Sequence, residues 1–427
     1  MGVRRRPRLL FLCQTLPYPP DGGVWIRTYH ILRLLAGTFD ITALCFERAP
    51  MAGNHAARRP NAGVAALSRF ARVEVFPIPQ RHSRVRFVWD HIRSLARRRV
   101  YTTYVYESRA FAKRLDDICR TTDFDLVHVD SLDLAAHLSA CADIPVVCVH
   151  HDVTSMQLRR RAEIEWRGWR AAYLRHQARL MEESERFWCT RVALNVAVSA
   201  EDAAALARIA PGARMAVVPN GVDVDEFRPA RVRGSGIAYV GGLHWFPNVD
   251  ALDYFATAVL PHLRAERPDV RVRWIGSATA DQQRRYAHQF GVEVTGYVDD
   301  VRPFMREAAC HVVPLRAGGG TRLKILNSWA MAKPVVATSI GCEGLLAREG
   351  DNILVRDDPK TFARAILDVL EDGALAERLG ARGRATAEQF YSWDVIGNDL
   401  IERYFDVVHL NRRLPTHLAA GALGYAQ

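Results

Sequence analysis

Short apolar blocks alternate with longer amphipathic stretches along most of this chain. Residues 9–13, 41–46, 73–78, 126–129, 145–149 and 192–198 each read as a buried strand. A stretch from about Trp25 to Ala36 places its apolar residues at helical spacing. Strands separated by helices predict a parallel, doubly wound α/β sheet. Residues 48–71 are polar, arginine-rich and turn-prone, and predict a loop. From Met156 to Thr190 there is no proline and one glycine, which predicts a single long helix. Its Trp166, Trp169, Tyr173, Leu180 and Phe187 form a stripe of the kind that faces a core. Ser199 with Asp202 resembles a capping box, with Asp in place of the usual Glu.

The alternation restarts further on, with strands near 237–240, 271–275, 292–295, 311–315, 334–338 and 353–355. Asn220-Gly221 predicts a tight turn, and the segment from Arg228-Pro229-Ala230 to Gly234-Ser235-Gly236 predicts a linker. A chain of 427 residues exceeds one ordinary core, so two domains of about 200 residues are expected. The boundaries fall at 1–231 for the first and 232–392 for the second, with a C-terminal helix and tail over 393–427. The helix, from about Trp393 to Leu410, suits either domain, and residues 411–427 read as a loose tail. Two such domains place a ligand where the strand carboxyl ends of both sheets face a central cleft.

Composition narrows the class. Hydrophobic content of 49% with 25% charged residues is that of a soluble globular protein. The net charge of +11 suggests an anionic partner, whether nucleotide or anionic lipid surface. No nucleic-acid reading motif accompanies the charge, so no nucleic-acid partner is expected. The apolar run behind Arg4-Arg5-Arg6 stops at Gln14, short of a signal peptide's core, and reads as the first strand. No run approaches the ~20 residues of a membrane span. Eight cysteines without C-x-x-C spacing read as buried free thiols of a cytoplasmic protein. The basic segment 81–99, with Phe87, Val88 and Trp89 interleaved, has two readings. It is a solvated helix face, or it makes peripheral contact with an anionic membrane, possible on the inner face.

Candidate chemistry sits in loops that follow strands. Gly318-Gly319-Gly320-Thr321-Arg322-Leu323-Lys324 joins an apolar strand to a helix start. Free amides, the positive end of the helix dipole and two cations there suit a diphosphate. Pro19-Pro20-Asp21-Gly22-Gly23, His150-His151-Asp152, Gly241-Gly242, Gly276 and Gly296-Tyr297-Val298-Asp299-Asp300 occupy similar positions. Two histidines at a strand end can simply satisfy backbone groups; the flanking strand and Asp152 favour a site role. Asp300 followed by Pro303 reads as a helix N-cap rather than half of a metal-binding pair. No metal and no cofactor are expected.

From VVPNGVD at 217–223 through IAYVGGLHWFPN, GYVDDVRPF, GGGTRLKIL and AMAKPVVAT, the chain resembles the retaining family 4 glycosyltransferases of GT-B fold. More narrowly, it resembles the branch that carries GGGTRLK followed by GCEGL; GGVWIRTYHILRLLA and VCVHHDVTS also fit, so the resemblance covers roughly residues 8–395. It implies that Gly22 and Gly23 lie near donor pyrophosphate and acceptor, and that His151 lies beside the transferred sugar. Gly320, Thr321, Arg322 and Lys324 then match the diphosphate loop. Gly241, Gly242, Gly276, Val298 and Asp300 fall where the nucleoside is held. Gly319 and Asn327 occupy the two positions where the wider family has glutamates. Asn327 offers a neutral partner to a ribose hydroxyl. Leu243-His244-Trp245 stands where that family has Arg and Lys.

The resemblance therefore implies transfer of a sugar from a nucleoside diphosphate sugar to a glycan or lipid-linked saccharide in cell-surface polysaccharide biosynthesis. His151, Arg322 and Lys324 are the catalytic candidates. Asn327 keeps a second reading open, a nucleotide-sugar-binding protein with little turnover in a glycan-assembly complex. A GT-B nucleotide-sugar epimerase is a third.

Overall fold

Leu9, Leu10, Phe11 and Leu12 are all fully buried, the mark of a strand covered on both faces in a parallel sheet. They belong to β1 (Arg8–Cys13), whose Leu9 pairs with Ile41 on one side and Leu126 on the other. The computed structural model describes residues 5–48, 60–229, 234–320 and 322–413. These fall into two units. The first takes the described residues up to Pro219 and those from Gly397 onward; the second takes Asn220–Ile396. The division lies ahead of the boundary expected at 231/232, and residues 230–233 are outside the described residues.

In the first unit β1 is followed by α1 (Gly23–Leu35), β2 (Asp40–Phe46), α2 (Pro60–Leu67), β3 (Arg72–Phe76) and α3 (Arg84–Arg97). Next come α4 (Thr102–Val105), α5 (Arg109–Thr121), β4 (Leu126–Val129), β5 (Val146–Val149), α6 (Thr154–Ile164) and α7 (Gly168–Cys189). β6 (Leu194–Ala197), α8 (Ala200–Ile209) and β7 (Met215–Val217) complete it. The sheet is wholly parallel in the order β3-β2-β1-β4-β5-β6-β7.

The second unit runs β8 (Ile237–Val240), α9 (Phe246–Tyr254), α10 (Leu260–Glu266), β9 (Val272–Ile275), α11 (Ala280–Phe290), β10 (Glu293–Val294) and α12 (Arg302–Glu307). It continues through β11 (Cys310–Val313), α13 (Leu323–Ala330), β12 (Val335–Ala337), β13 (Leu354–Val355), α14 (Pro359–Glu371) and α15 (Gly373–Phe390). Its parallel order is β10-β9-β8-β11-β12-β13. The doubly wound expectation is met in both units.

Several expectations are corrected. Within 48–71, residues 60–67 form α2, where Gly63 acts as a contact: a Cβ there would lie 2.6 Å from Leu16 Cδ2. The supposed single helix over 156–190 is two, α6 and α7, interrupted at 165–167. Its aromatic stripe is not all core: Leu180 is buried, but Trp166 and Trp169 are 82% and 70% exposed. The Asn220-Gly221 turn is absent. Gly221 instead passes the Trp393 ring, which a Cβ would approach to 2.6 Å. Ser199 does cap α8, accepting from Asp202 N at 3.0 Å. The shorter Asp, however, takes the Ser199 hydroxyl at 2.8 Å and not the backbone N–H of a full box.

The last helix, α16 (Trp393–Arg413), joins the first unit from Gly397 onward. Tyr404 hydrogen bonds to His128 Nδ1 at 2.7 Å, and Phe405 stacks on Phe39 at 5.2 Å. Residues 414–427 of the expected tail lie outside the described residues. All eight cysteines are free, and seven of them are buried.

Candidate functional site

In each sheet the strand order reverses beside the first strand, between β1 and β4 and between β8 and β11. Connections leave such a switch point in opposite directions, so a crevice opens at the strand carboxyl ends. The expected site residues collect at these ends.

In the first unit His150 and His151 follow β5 directly, and the sheet sends them different ways. His150 points inward and is buried; its Nε2 donates to Asn195 Oδ1 at 3.0 Å. Burial lowers its pKa to about 4, so it is a neutral core histidine. His151 turns to the strand ends, where Nε2 lies 3.3 Å from Asp130 Oδ1. Asp130, one residue past β4, is itself buried and accepts from Thr28 Oγ1 of α1 at 2.9 Å. His128 Nε2 stands 3.8 Å away. Burial alone would raise the Asp130 pKa, but the His151 and His128 imidazoles outweigh it and hold it at about 2. The result is a desolvated carboxylate that fixes and polarises His151. His128 stacks on Phe11 at 3.7 Å, and burial lowers its pKa.

Gly22 and Gly23 lie at the amino end of α1, as N-cap and first helical residue. The first turn of α1 contains no acidic residue, so its amides remain suited to an anion. Arg48 packs its guanidinium 3.4 Å over the Trp25 ring, pairs with Asp21 and donates to Pro19 O. It thus braces the glycine loop.

In the second unit the loops after β8 and β9 are interlocked by their glycines. A Cβ at Gly276, where φ is +150°, would lie 2.6 Å from the Gly241 carbonyl carbon. One at Gly242 would lie 2.5 Å from Ser277 Oγ. Side chains are excluded by contact at these positions, which brings backbone close to the strand ends. Lys324 Nζ donates to Tyr239 Oη and, at 3.0 Å, to Asn248 Oδ1, and sits 3.9 Å over the Tyr239 ring. Asn248 Nδ2 donates to Gly242 O at 2.8 Å, closing the network onto the glycine loop. Burial and the neighbouring Arg322 charge push the Lys324 pKa well down.

Arg322 is the N-cap of α13 and is buried, with one guanidinium nitrogen donating to Gly319 O and another to Ile340 O at 3.4 Å. It draws Gly318, Gly319 and the GCEGL segment together; Gly318 has φ +116° and lies beside the Trp245 ring. Gly320, with φ +67°, needs its glycine for backbone reasons. Thr321 lies outside the described residues. Asn327 is half-buried one turn into α13. Val298 packs against the small cluster around Met305. Asp300 was expected to be the N-cap of α12, but the N-cap is Val301; Asp300, one residue ahead, accepts from Arg302 N at 2.9 Å.

Sequence reasoning missed Asp130, Tyr239 and Asn248. Asp130 carried a usable signal: a carboxylate immediately after the four-residue apolar strand of β4. Tyr239 and Asn248 sit in strand and helix patterns that packing alone explains, and only the fold brings them to Lys324.

Two Rossmann-like units with phosphate-type loops at their switch points define a GT-B class protein. Residues 21–226 match Glycosyltransferase Family 4, and residues 234–372 match Glycosyl transferases group 1. The chain belongs to the family 4 (group 1) glycosyltransferases. A phosphatidyl-myo-inositol mannosyltransferase of Mycobacterium tuberculosis is 29% identical over 201 residues, covering 44% of this chain and 53% of that protein. A D-inositol 3-phosphate glycosyltransferase of Streptomyces scabiei is 29% identical over 250 residues, covering 51% and 55% respectively. The chain thus spans about half the length of these relatives. Anabaena HepE in complex with UDP and glucose superposes with a TM-score of 0.66 at 16% identity, covering 93% of this chain and 99% of that one. Sucrose-phosphate synthase from Thermosynechococcus elongatus gives 0.67 at 14% identity, covering 94% and 100%. These two likenesses concern the fold.

Proposed function

We propose that the protein transfers a sugar from a nucleoside diphosphate sugar to a saccharide or lipid-linked acceptor, with retention of anomeric configuration. The observation that carries this reading is the second unit's switch point. There Arg322, the Lys324–Tyr239–Asn248 network and the interlocked Gly241, Gly242 and Gly276 meet the amino end of α13. Fixed cations and close backbone suit a leaving diphosphate, whose charge grows as the bond from the anomeric carbon to phosphate oxygen breaks. In the proposed step the acceptor oxygen bonds to that carbon from the same face, and its proton passes to the departing phosphate. His151, held by Asp130, is assigned to the sugar. Lys324 would regain its full charge beside a diphosphate, so binding should take up protons. The relatives act, by their names, on inositol-containing acceptors, and HepE binds UDP and glucose. They support a polyhydroxylated acceptor in envelope glycan assembly and make UDP the first nucleotide to test.

The test is a thermal-shift panel of UDP, GDP, ADP and dTDP, each with its sugars, followed by a transfer assay. Ligand at about 100 times its dissociation constant adds about 2.7 kcal/mol of stability. No shift with any nucleoside diphosphate would refute the reading. A shift with no diphosphate release in the presence of acceptor would replace transfer by binding.

A further inference from the structure

Helix α3 is turned inside out. Its buried residues are Asp90 and Ser94, whereas Val85 (80% exposed), Val88, Trp89 (57% exposed), Ile92 and Leu95 face solvent. An ordinary surface helix does the reverse. The inward polar face is fully engaged. Asp90 accepts from Gln80 Nε2 at 3.1 Å, and Ser94 Oγ donates to Arg99 O at 2.8 Å while accepting from Gln177 Nε2 at 2.9 Å. His91 stacks on Tyr101 at 3.8 Å and hydrogen bonds to Tyr173 Oη at 2.6 Å. These contacts fix which face is hidden, so the exposed apolar face cannot be relieved by rolling the helix.

A second apolar feature lies beside it. Trp166 and Trp169 stand out at the interruption between α6 and α7, with the Arg167 and Arg170 guanidinium groups over their rings at 4.7 and 5.1 Å. Tyr173 lies one turn from Trp169 on the same side of α7. Through His91 it holds α3 across α7 one turn from that tryptophan. Arg84, Arg97, Arg98 and Arg99 are exposed at the two ends of α3.

We propose that this face of the first unit docks on an anionic lipid bilayer surface. Tryptophan rings flanked by arginine suit the zone between headgroups and acyl chains. Charge chooses the occupant: a second copy of a +11 chain would bring like-charged rims together, whereas anionic lipid complements them. The inference rests on this surface alone and holds whether the acceptor is a lipid or a soluble saccharide.

The test is co-sedimentation of the full chain with phosphatidylcholine vesicles, with or without phosphatidylglycerol, at low and high salt. Binding is expected with phosphatidylglycerol and should weaken with salt. Trp89→Ser with Ile92→Ser, and separately Trp166→Ser with Trp169→Ser, should each lower partitioning by about tenfold or more. Arg97, Arg98 and Arg99 changed to Gln should cost about fivefold per residue. All of these side chains are exposed, so circular dichroism and melting should be unchanged. Absence of wild-type binding to anionic vesicles would overturn the proposal, as would equal binding by the tryptophan variants. A dimer abolished by Trp89→Ser and Ile92→Ser, without vesicle binding, would assign the face to a second copy instead.

Discussion

Replacing Asp130 with asparagine removes one buried charge while keeping its shape and its hydrogen bond from Thr28. The carboxylate pKa is lowered from 3.8 to about 2, and that difference is worth about 2.5 kcal/mol of folding free energy. The sign follows from the direction. A depressed carboxylate pKa contributes fully above 3.8 and loses its contribution as pH falls through about 2. Urea unfolding of wild type and Asp130→Asn should therefore differ by about 2.5 kcal/mol more at pH 7 than at very low pH, with about half of that term remaining at pH 3. A tryptophan-fluorescence transition and one by circular dichroism would test whether the first unit unfolds as a single step. In the transfer assay the same variant leaves His151 without its partner, so kcat should fall while affinity for nucleoside diphosphate is unchanged. A stability difference that is the same at pH 7 and pH 3 would refute the electrostatic argument. An unchanged kcat would remove the Asp130–His151 pair from the chemistry.

Arg322→Ala should weaken nucleoside diphosphate binding by about 10- to 150-fold, from roughly 1.5–3 kcal/mol for a charged hydrogen bond, and bare nucleoside much less; calorimetry with both ligands checks it. His150→Ala should lower the melting temperature, since it removes the donor to Asn195 Oδ1 in the core, whereas His151→Ala should spare stability and lower turnover. Asn327→Glu should strengthen donor binding, because a carboxylate bonds ribose hydroxyls more strongly than an amide; no gain in a donor titration with the fold intact would take Asn327 out of the site. Burial raises the Glu185 pKa from 4.5 to about 7, although Ser155 donates to it through N and Oγ. Its stabilising contribution is present below 4.5 and lost as pH rises through about 7, so Glu185→Gln should be the more stable protein at pH 8, by about 3 kcal/mol in urea unfolding.

The strand pattern was legible because a parallel sheet covered on both faces leaves continuous apolar runs, as at β1 and β8. What was lost depends on partners distant in sequence. An apolar periodicity says that a helix has two faces, not which one is buried. In α3 the answer is set by Gln80 and Gln177, and in α7 Leu180 is enclosed while Trp169, on the same helix, stays 70% exposed. Glycine signals behaved similarly. Gly221 read as a turn and Gly63 fell in an expected loop, but both serve close packing, against Trp393 and Leu16, whereas Gly318 and Gly320 do adopt positive φ. The glycine loop at 318–324 was visible because its residues are contiguous. Lys324's engagement with Tyr239 and Asn248 was not, since those partners are 85 and 76 residues away in sequence and meet it only because β8 lies beside β11.

The two units treat charge in opposite ways, and this bears on what each can do. The first buries a carboxylate, Asp130, among the imidazoles of His128 and His151, which hold its pKa at about 2 and keep it charged. The second gathers an arginine and a lysine at a helix amino end, where Tyr239, Asn248, and the Gly319 and Ile340 carbonyls are among the groups that accept from them. These two basic groups oppose the dipole of α13 and each other, and the cost shows in the Lys324 pKa, which burial and the Arg322 charge push well down. An incoming diphosphate would cancel it. Binding energy is thus greatest for the ligand with the most negative charge at that point, and the charge on the leaving group rises as its bond to the sugar breaks. On the proposed function, a site built this way would hold the departing diphosphate more tightly than the intact donor, which would lower the barrier to transfer. The same preference should make nucleoside diphosphate a strong product inhibitor, and its inhibition constant should lie below the donor KM in the transfer assay.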